Sequence, residues 1–339
     1  MRFKNFNFLI LIILSLLSLS VYSLKTLNYS QYNCRRSRDV IYPQEFLRFI
    51  NGVGEQSGQM AEMFKIEWSD HIDNSRRLII QGAQGITRDR VIVVGAGNCT
   101  DIPLEELTLS FQRVVLYDFD IASIEGARDM LSLELQNRVD LNSQDISSVG
   151  ALFLRDTIGM VDNTTLERDV VRNIISYMDN MELPKGDISS DEKADYIVCS
   201  LVLSTLMWGE FLYLEQKIAD KFGELEATYF LDDIWEEAKL RFKDRVVNNV
   251  IDILAATLQP GGRLLFIDSA IKHTTDNSVS GSLEDIQVFS AEHLRGLLKG
   301  RFSIDYEESW SWSYLPEDNS FNSVSEHEIE ALILSLPQF

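Results

Sequence analysis

The chain has 339 residues, 45% of them hydrophobic, with 52 acidic against 31 basic side chains and a formal charge of −21. That length and apolar content suffice for one large domain or two smaller ones. A field of that sign repels phosphate backbones, and the densest basic cluster (Arg35, Arg36 and Arg38) is too short to offset it, which excludes nucleic acid as the expected partner.

The chain opens with Met-Arg-Phe-Lys-Asn-Phe-Asn, followed by a nearly unbroken apolar run from Phe8 to Tyr22 and the small residue Ser23. A basic start, a short apolar stretch and a small residue describe a secretory signal peptide over residues 1–23. The run is shorter than the roughly 20 residues that span a bilayer. Leu24 and Leu27 lengthen it, so the alternative is an uncleaved membrane anchor through residues 8–24. The first reading predicts an exported or secreted protein. The second predicts an anchored one, whose domain can face the cytoplasm. Three cysteines (Cys34, Cys99 and Cys199) make no disulfide scaffold, and the four scattered histidines have no zinc-site spacing, so no metal is expected.

Residues 24–88 read as a helical extension. Pro43 to Ile50 forms one piece and Met60 to Ile80 another, broken at Asn51-Gly52 and Gly54 and closed by Gly82 and Gly85. From Arg90 onward strands and helices alternate, which predicts a largely parallel sheet covered on both faces. The expected strands are Val91–Val94, Arg113–Asp118, Val139–Leu141, Tyr196–Ser200 and Arg263–Asp268. Helices are expected at about 101–112, with Thr100 or Asp101 as cap, at 121–135, and at 233–258, stopped by Pro260-Gly261-Gly262. Helical insertions at about 151–190 and 208–232 interrupt this rhythm. Ser290 caps a short helix from Ala291, and Phe302–Tyr314 and Ile329–Leu336 pair as the last two strands.

In an open α/β sheet, ligands collect outside the carboxyl ends of the strands, where strand order reverses. After the first strand come Gly95, Ala96, Gly97 and Asn98, a tight bend whose backbone can approach a ligand closely. Asp118 closes the second strand, 23 positions after Gly95, where a carboxylate can accept both ribose hydroxyls of an adenosine. Asp145 follows the third strand, placed to meet the exocyclic amine of adenine, and Phe119 and Ile146 beside these acids can sandwich the base. Ser200 ends the fourth strand.

With the Pro260-Gly261-Gly262 turn added, the chain from about Arg90 to Leu336 resembles the class I S-adenosylmethionine-dependent methyltransferases. The resemblance implies a Rossmann-like doubly wound α/β fold with a seven-stranded sheet, mostly parallel with a C-terminal antiparallel hairpin, over residues 89–339. It also implies S-adenosylmethionine as cofactor, the methionine part over Gly95, Ala96 and Gly97, the ribose on Asp118, and the adenine near Asp145 and Ile146. Val93 stands where the family commonly has an acid and Cys99 where it often has a third glycine; the first removes a partner for the cofactor's amino group and the second narrows the loop. No Asn/Asp-Pro-Pro-Tyr motif follows the fourth strand, which argues against the adenine-N6 nucleic-acid enzymes.

A sulfonium methyl is already activated, so the protein's main task is to align an acceptor, here a small or medium-sized molecule. A base is needed only if the acceptor loses a proton as it attacks. Asp268 and His273 are the candidates, and Asp268 could equally cap a turn. Trp208, Trp310, Trp312 and Tyr314 offer an aromatic acceptor wall, although Trp310 and Trp312, two apart on a strand, equally suit packing against a helix. Two rivals remain. A nicotinamide-dependent oxidoreductase is weakened by Thr100 where a third glycine belongs. A non-catalytic binding or scaffold protein gains weight from the leader, since S-adenosylmethionine is a cytosolic metabolite.

Overall fold

The computed structural model describes residues 42–50, 63–184, 193–223, 233–276, 283–286, 291–315 and 323–337. The leader, together with residues 24–41, lies outside them. Among the described residues no helix is long and apolar enough to cross a membrane.

The central strands are apolar on both faces, as strands sandwiched between helices must be. In β1 (Arg90–Val94), Ile92 and Val94 enter one hydrophobic core while Val91 and Val93 enter the other. β4 (Ala194–Ser200) divides the same way, Ile197 and Cys199 against Tyr196 and Val198. With β2 (Arg113–Tyr117), β3 (Val139–Asn142), β5 (Leu258–Asp276), β7 (Ser303–Leu315) and β8 (Ser323–Ser335), the sheet runs in the order β3-β2-β1-β4-β5-β8-β7. β1 to β5 are mutually parallel; β8 lies antiparallel between β5 and β7. The reversed hairpin expected at the C-terminus is therefore present. β6 (Leu283–Ile286), absent from the expected set, pairs antiparallel with the outer part of β5.

One face carries α1 (44–50), α6 (Gly150–Asn163), α7 (Glu167–Asn180), α8 (Trp208–Phe222), α9 (Asp233–Thr257) and α10 (Ala291–Leu298). The other carries α2 (Ser69–Gly82), α3 (Leu104–Ser110) and α4 (Ile121–Asp129). α9 shows why such segments are helical: Trp235, Ala238, Phe242, Val246, Val250 and Leu254 recur every three or four residues, and all are buried.

Three expectations need correction. The helix after β1 starts at Leu104, because Pro103 disfavours helical backbone at the residue before it, and Thr100 and Asp101 cap nothing. The helix expected over 121–135 divides into α4 and a single turn, α5 (Leu133–Gln136). Pro260-Gly261-Gly262 does not terminate α9, which ends at Thr257; it forms an irregularity inside β5, where partners jump from Ala194↔Leu258 to Tyr196↔Arg263. β5 is also much longer than expected. It runs past its last parallel partner, Ser200↔Ile267, into an antiparallel extension bounded by β6 and β8.

Candidate cofactor site at the carboxyl edge

Strand order reverses between β1 and β4, and the bend after β1 lies at that switch point. Gly95 has φ +70°, and a Cβ there would stand 2.2 Å from Val202 Cγ2 in the chain leaving β4, so only glycine fits. Gly97 has φ +46°, and the space its Cβ would take is open. Ala96 is buried in the core below the bend, while Asn98 is exposed and accepts the Thr100 hydroxyl at 2.7 Å. Cys99 is buried, and burial together with the nearby Asp101 and Asp118 pushes its thiol well above the ordinary range, consistent with an inert filler.

Asp118 ties this bend to the next strand. Its Oδ2 accepts Gly97 N–H at 2.9 Å and its Oδ1 accepts Asp120 N–H at 2.9 Å. Burial raises its pKa, against the lowering pull of those backbone N–H groups. The Phe119 N–H adds to the same pull, so of a carboxylate's roughly four lone-pair positions one stays open to a further donor. Asp120 is a helix cap and accepts Ala122 N–H and Ser123 N–H at the start of α4. Phe119 stays partly exposed beside it, and Ile146 is buried. Ser200, also buried, donates its hydroxyl to Asp101 at 2.7 Å.

Asp145 is more heavily committed. It accepts Ser147 N–H and the Ser147 hydroxyl, both at 2.8 Å, and Gly150 N–H at 2.9 Å, which caps the first turn of α6. It also accepts the hydroxyl of Tyr42 at 3.0 Å. Tyr42 precedes α1, and its hydroxyl lies 2.8 Å from Glu210 Oε1 on α8. Burial, then the charge of Asp145, pushes the Glu210 carboxyl up to about 7. Neither Tyr42 nor Glu210 stands out in the sequence. Each sits in an unremarkable amphipathic stretch, and only the fold brings them to Asp145.

The two candidate bases fare differently. Asp268 is buried and accepts Leu203 N–H at 2.7 Å, Ser204 N–H at 3.2 Å and Ser269 N–H at 2.8 Å. Its carboxylate is spent on the chain after β4, so the turn-capping reading is the one the geometry takes. His273 lies five residues further along β5, opposite Asp285 of β6 and Glu326 of β8 in the antiparallel extension, away from the bend.

The aromatic wall is a packed cluster. Trp312 stacks on His71 of α2 at 4.1 Å between ring centroids, and Tyr314 stacks on Trp68 at 5.3 Å. Trp310 donates its indole N–H to His71 Nδ1 at 3.2 Å. Trp208 is partly exposed on α8. Trp310, Trp312 and Tyr314 hold α2 and the preceding Trp68 to β7, as the packing alternative expected, and Trp208 takes no part. Two surface hollows, of about 620 and 670 Å³, lie respectively between α2 and α3 and at the amino ends of the strands; neither is lined by Gly95, Gly97, Asp118 or Asp145.

Among the described residues no group of His, Cys, Asp and Glu is arranged to hold a metal ion. The strand order, the reversed hairpin and the glycine bend at the switch point define a Rossmann-like doubly wound α/β fold, mostly parallel with a C-terminal antiparallel hairpin. No family model and no curated protein matches the sequence. Solved structures similar to the chain include the N-methyltransferase NodS from Bradyrhizobium japonicum WM9 in complex with S-adenosyl-L-homocysteine, with 14% identity over 80% of this chain and 88% of that one, TM-score 0.39. An S-adenosylmethionine-dependent methyltransferase from Clostridium acetobutylicum matches with 12% identity over 83% and 99% of the two chains, TM-score 0.41. A putative methyltransferase from Bacillus halodurans C-125 matches with 10% identity over 76% and 96%, TM-score 0.41.

Proposed function

We propose that the protein binds S-adenosylmethionine at the carboxyl edge of β1 and β2 and transfers its methyl group to a small or medium-sized acceptor. The observation that supports this reading is Asp118, which holds the bend through Gly97 N–H and keeps an acceptor position open for a ribose hydroxyl. The open space beside Gly97 leaves room for a ligand against the backbone. When bound, S-adenosylmethionine supplies a methyl already activated on a sulfonium. The chain's task is to hold the adenosyl end on Asp118 and the bend, and to exclude water from the mouth. Ile146 and Phe119 offer the adenine two apolar flanks. The rim is acidic (Asp101, Asp118, Asp120, Asp145 and Glu210), which favours a sulfonium-bearing cation over the pyrophosphate of a nicotinamide dinucleotide.

A non-catalytic binding protein is the second reading, and one observation favours it: Asp145, the residue expected at the adenine, already carries Tyr42 and the α6 cap. The acidic net charge supports a small-molecule acceptor over nucleic acid, and residues 8–24 support export or anchoring of the protein. Calorimetry of the full chain with S-adenosylmethionine and with NADH tests the proposal. Asp118→Ala, losing a charge-assisted hydrogen bond to the ligand, is expected to weaken S-adenosylmethionine binding by about 1.5–3 kcal/mol. Unchanged affinity in this variant removes the ribose assignment, and binding of NADH alone reinstates the oxidoreductase.

A further inference from the structure

The docking of residues 42–50 is built in detail. Phe46 is buried, stacks on Tyr42 at 4.8 Å and meets Tyr213 of α8 edge-on at 5.5 Å. Ile50 approaches α8 so closely that a Cβ on Gly209 would stand 2.6 Å from its Cδ1. Glu45 accepts the Tyr213 hydroxyl at 3.2 Å and pairs with Lys217 at 2.5 Å. Beneath this helix, a Cβ on Gly150 would stand 2.1 Å from the Tyr42 hydroxyl oxygen and 2.3 Å from Glu210 Oε1. A glycine at the start of α6 is what lets phenol and carboxyl reach Asp145.

The phenol therefore lies where the sequence places an adenine: its hydroxyl on Asp145, its ring 6.4 Å from that of Phe119. A planar ring offering one hydrogen bond to this carboxylate is what the exocyclic amine of adenine would also present. We propose that Tyr42 is an internal occupant of the adenine slot, and that residues 42–50 form a gate which an adenosyl ligand must displace. This rests on the adenosyl-binding reading above. One phenol proton cannot fully serve two carboxylates, so a protonated Glu210 completes the closed arrangement, Tyr42 donating to Asp145. An incoming adenine amine takes over Asp145, and the phenol with α1 swings away from α6 and α8. The gate thus sets how tightly the cofactor binds, because every binding event first breaks the two Tyr42 contacts.

The test uses the full chain, its Tyr42→Phe and Tyr42→Ala variants, and S-adenosylhomocysteine as probe. Affinity is read by calorimetry, and the state of residues 42–50 by hydrogen exchange resolved to that segment. Tyr42→Phe keeps the ring and its stacking on Phe46 while losing both hydroxyl contacts, so it guards against loss of folding in Tyr42→Ala. The expected result is affinity at least about tenfold higher in Tyr42→Ala, with Tyr42→Phe between it and the parent. In the parent, S-adenosylhomocysteine should speed exchange in residues 42–50. Equal affinity in all three proteins, or exchange in that segment slowed by the ligand, overturns the gate and leaves the adenosyl site standing. Failure of all three to bind overturns both, since no adenosyl slot then exists to be gated.

Discussion

The two ends of the same parallel strands use charge differently: bases and acids are interleaved at the amino end, whereas acids gather at the carboxyl end. At the amino end, basic residues beside the strand starts close the C-termini of helices, whose last carbonyls lack partners within the helix. Arg138 donates to Thr108 O of α3 at 3.3 Å, Arg263 to Gly82 O of α2 at 3.2 Å and to Gln84 O at 2.7 Å, and Lys193 to Ala256 O of α9. Asp195, buried there, accepts Asp89 N–H and Arg90 N–H at 2.9 and 2.7 Å. At the carboxyl end, acids accept loop N–H groups, but Asp118 keeps one acceptor position open and Tyr42 joins two further carboxyls. Strain accumulates there too. Cys99, Ser148, Leu201 and Met207, the non-glycine residues with positive φ among those described, all lie in the connections that follow β1, β3 and β4. Non-glycine residues held in that region cost about 1–3 kcal/mol each and collect at functional sites. One end spends its charge on the fold, while the other is the end where the proposed ligand would bind.

The division can be broken most forcefully at Asp195. Asp195→Ala should orphan the Asp89 and Arg90 N–H groups and destabilise the protein by about 1–3 kcal/mol in denaturant titration, with S-adenosylhomocysteine affinity of the folded protein unchanged. An affinity loss without a stability loss would erase the contrast.

A second measurement sharpens it through acid stability. Burial holds His71 down to about 4, and its Nδ1 accepts the Trp310 indole N–H, a bond that protonation destroys. The folded value lies below the ordinary 6.5, so stability present above pH 6.5 is lost as pH falls through 4. The loss is up to about 3 kcal/mol, and His71→Phe should flatten it.

Glu210 runs the other way. Its value of about 7 lies above the ordinary 4.5, so its contribution is present below pH 4.5 and disappears as pH rises through 7. Glu210→Gln should remove that slope and leave the variant about 1–2 kcal/mol more stable than the parent at pH 8. A His71→Phe variant whose stability is level from pH 5 to 8 would show that Glu210 is not protonated in the closed mouth.

Much of the fold was legible because its signals are local. The run Val91–Val94, the bend at Gly95 and Gly97, and the periodic apolar residues of α9 each encode their element within a few residues. Boundaries were missed where neighbours intervene. Pro103 delays α3, and β5 runs on past Ile267, its last residue paired with β4, because β8 and β6 pair with it there. At the site, Asp118 was legible from its position at a strand end. Asp268 was recognisable as an acid after β5, but whether it served as base or cap depended on Leu203 and Ser204, more than 60 residues away. The indoles could be placed on one strand face, yet their partners, Trp68 and His71, lie in an extension with no strand pattern of its own.

The amino-acid sequence alone determined the cores of the five central strands and of the C-terminal pair, their alternation with helices, the glycine bend and the acids that follow it, because periodicity and turn chemistry act over a few residues. Only the tertiary structure decided that Tyr42 would meet Asp145 across 103 positions and Glu210 across 168. Such a meeting depends on how α1 packs against α6 and α8, and a packing surface shared by three helices has no signature in any one of them.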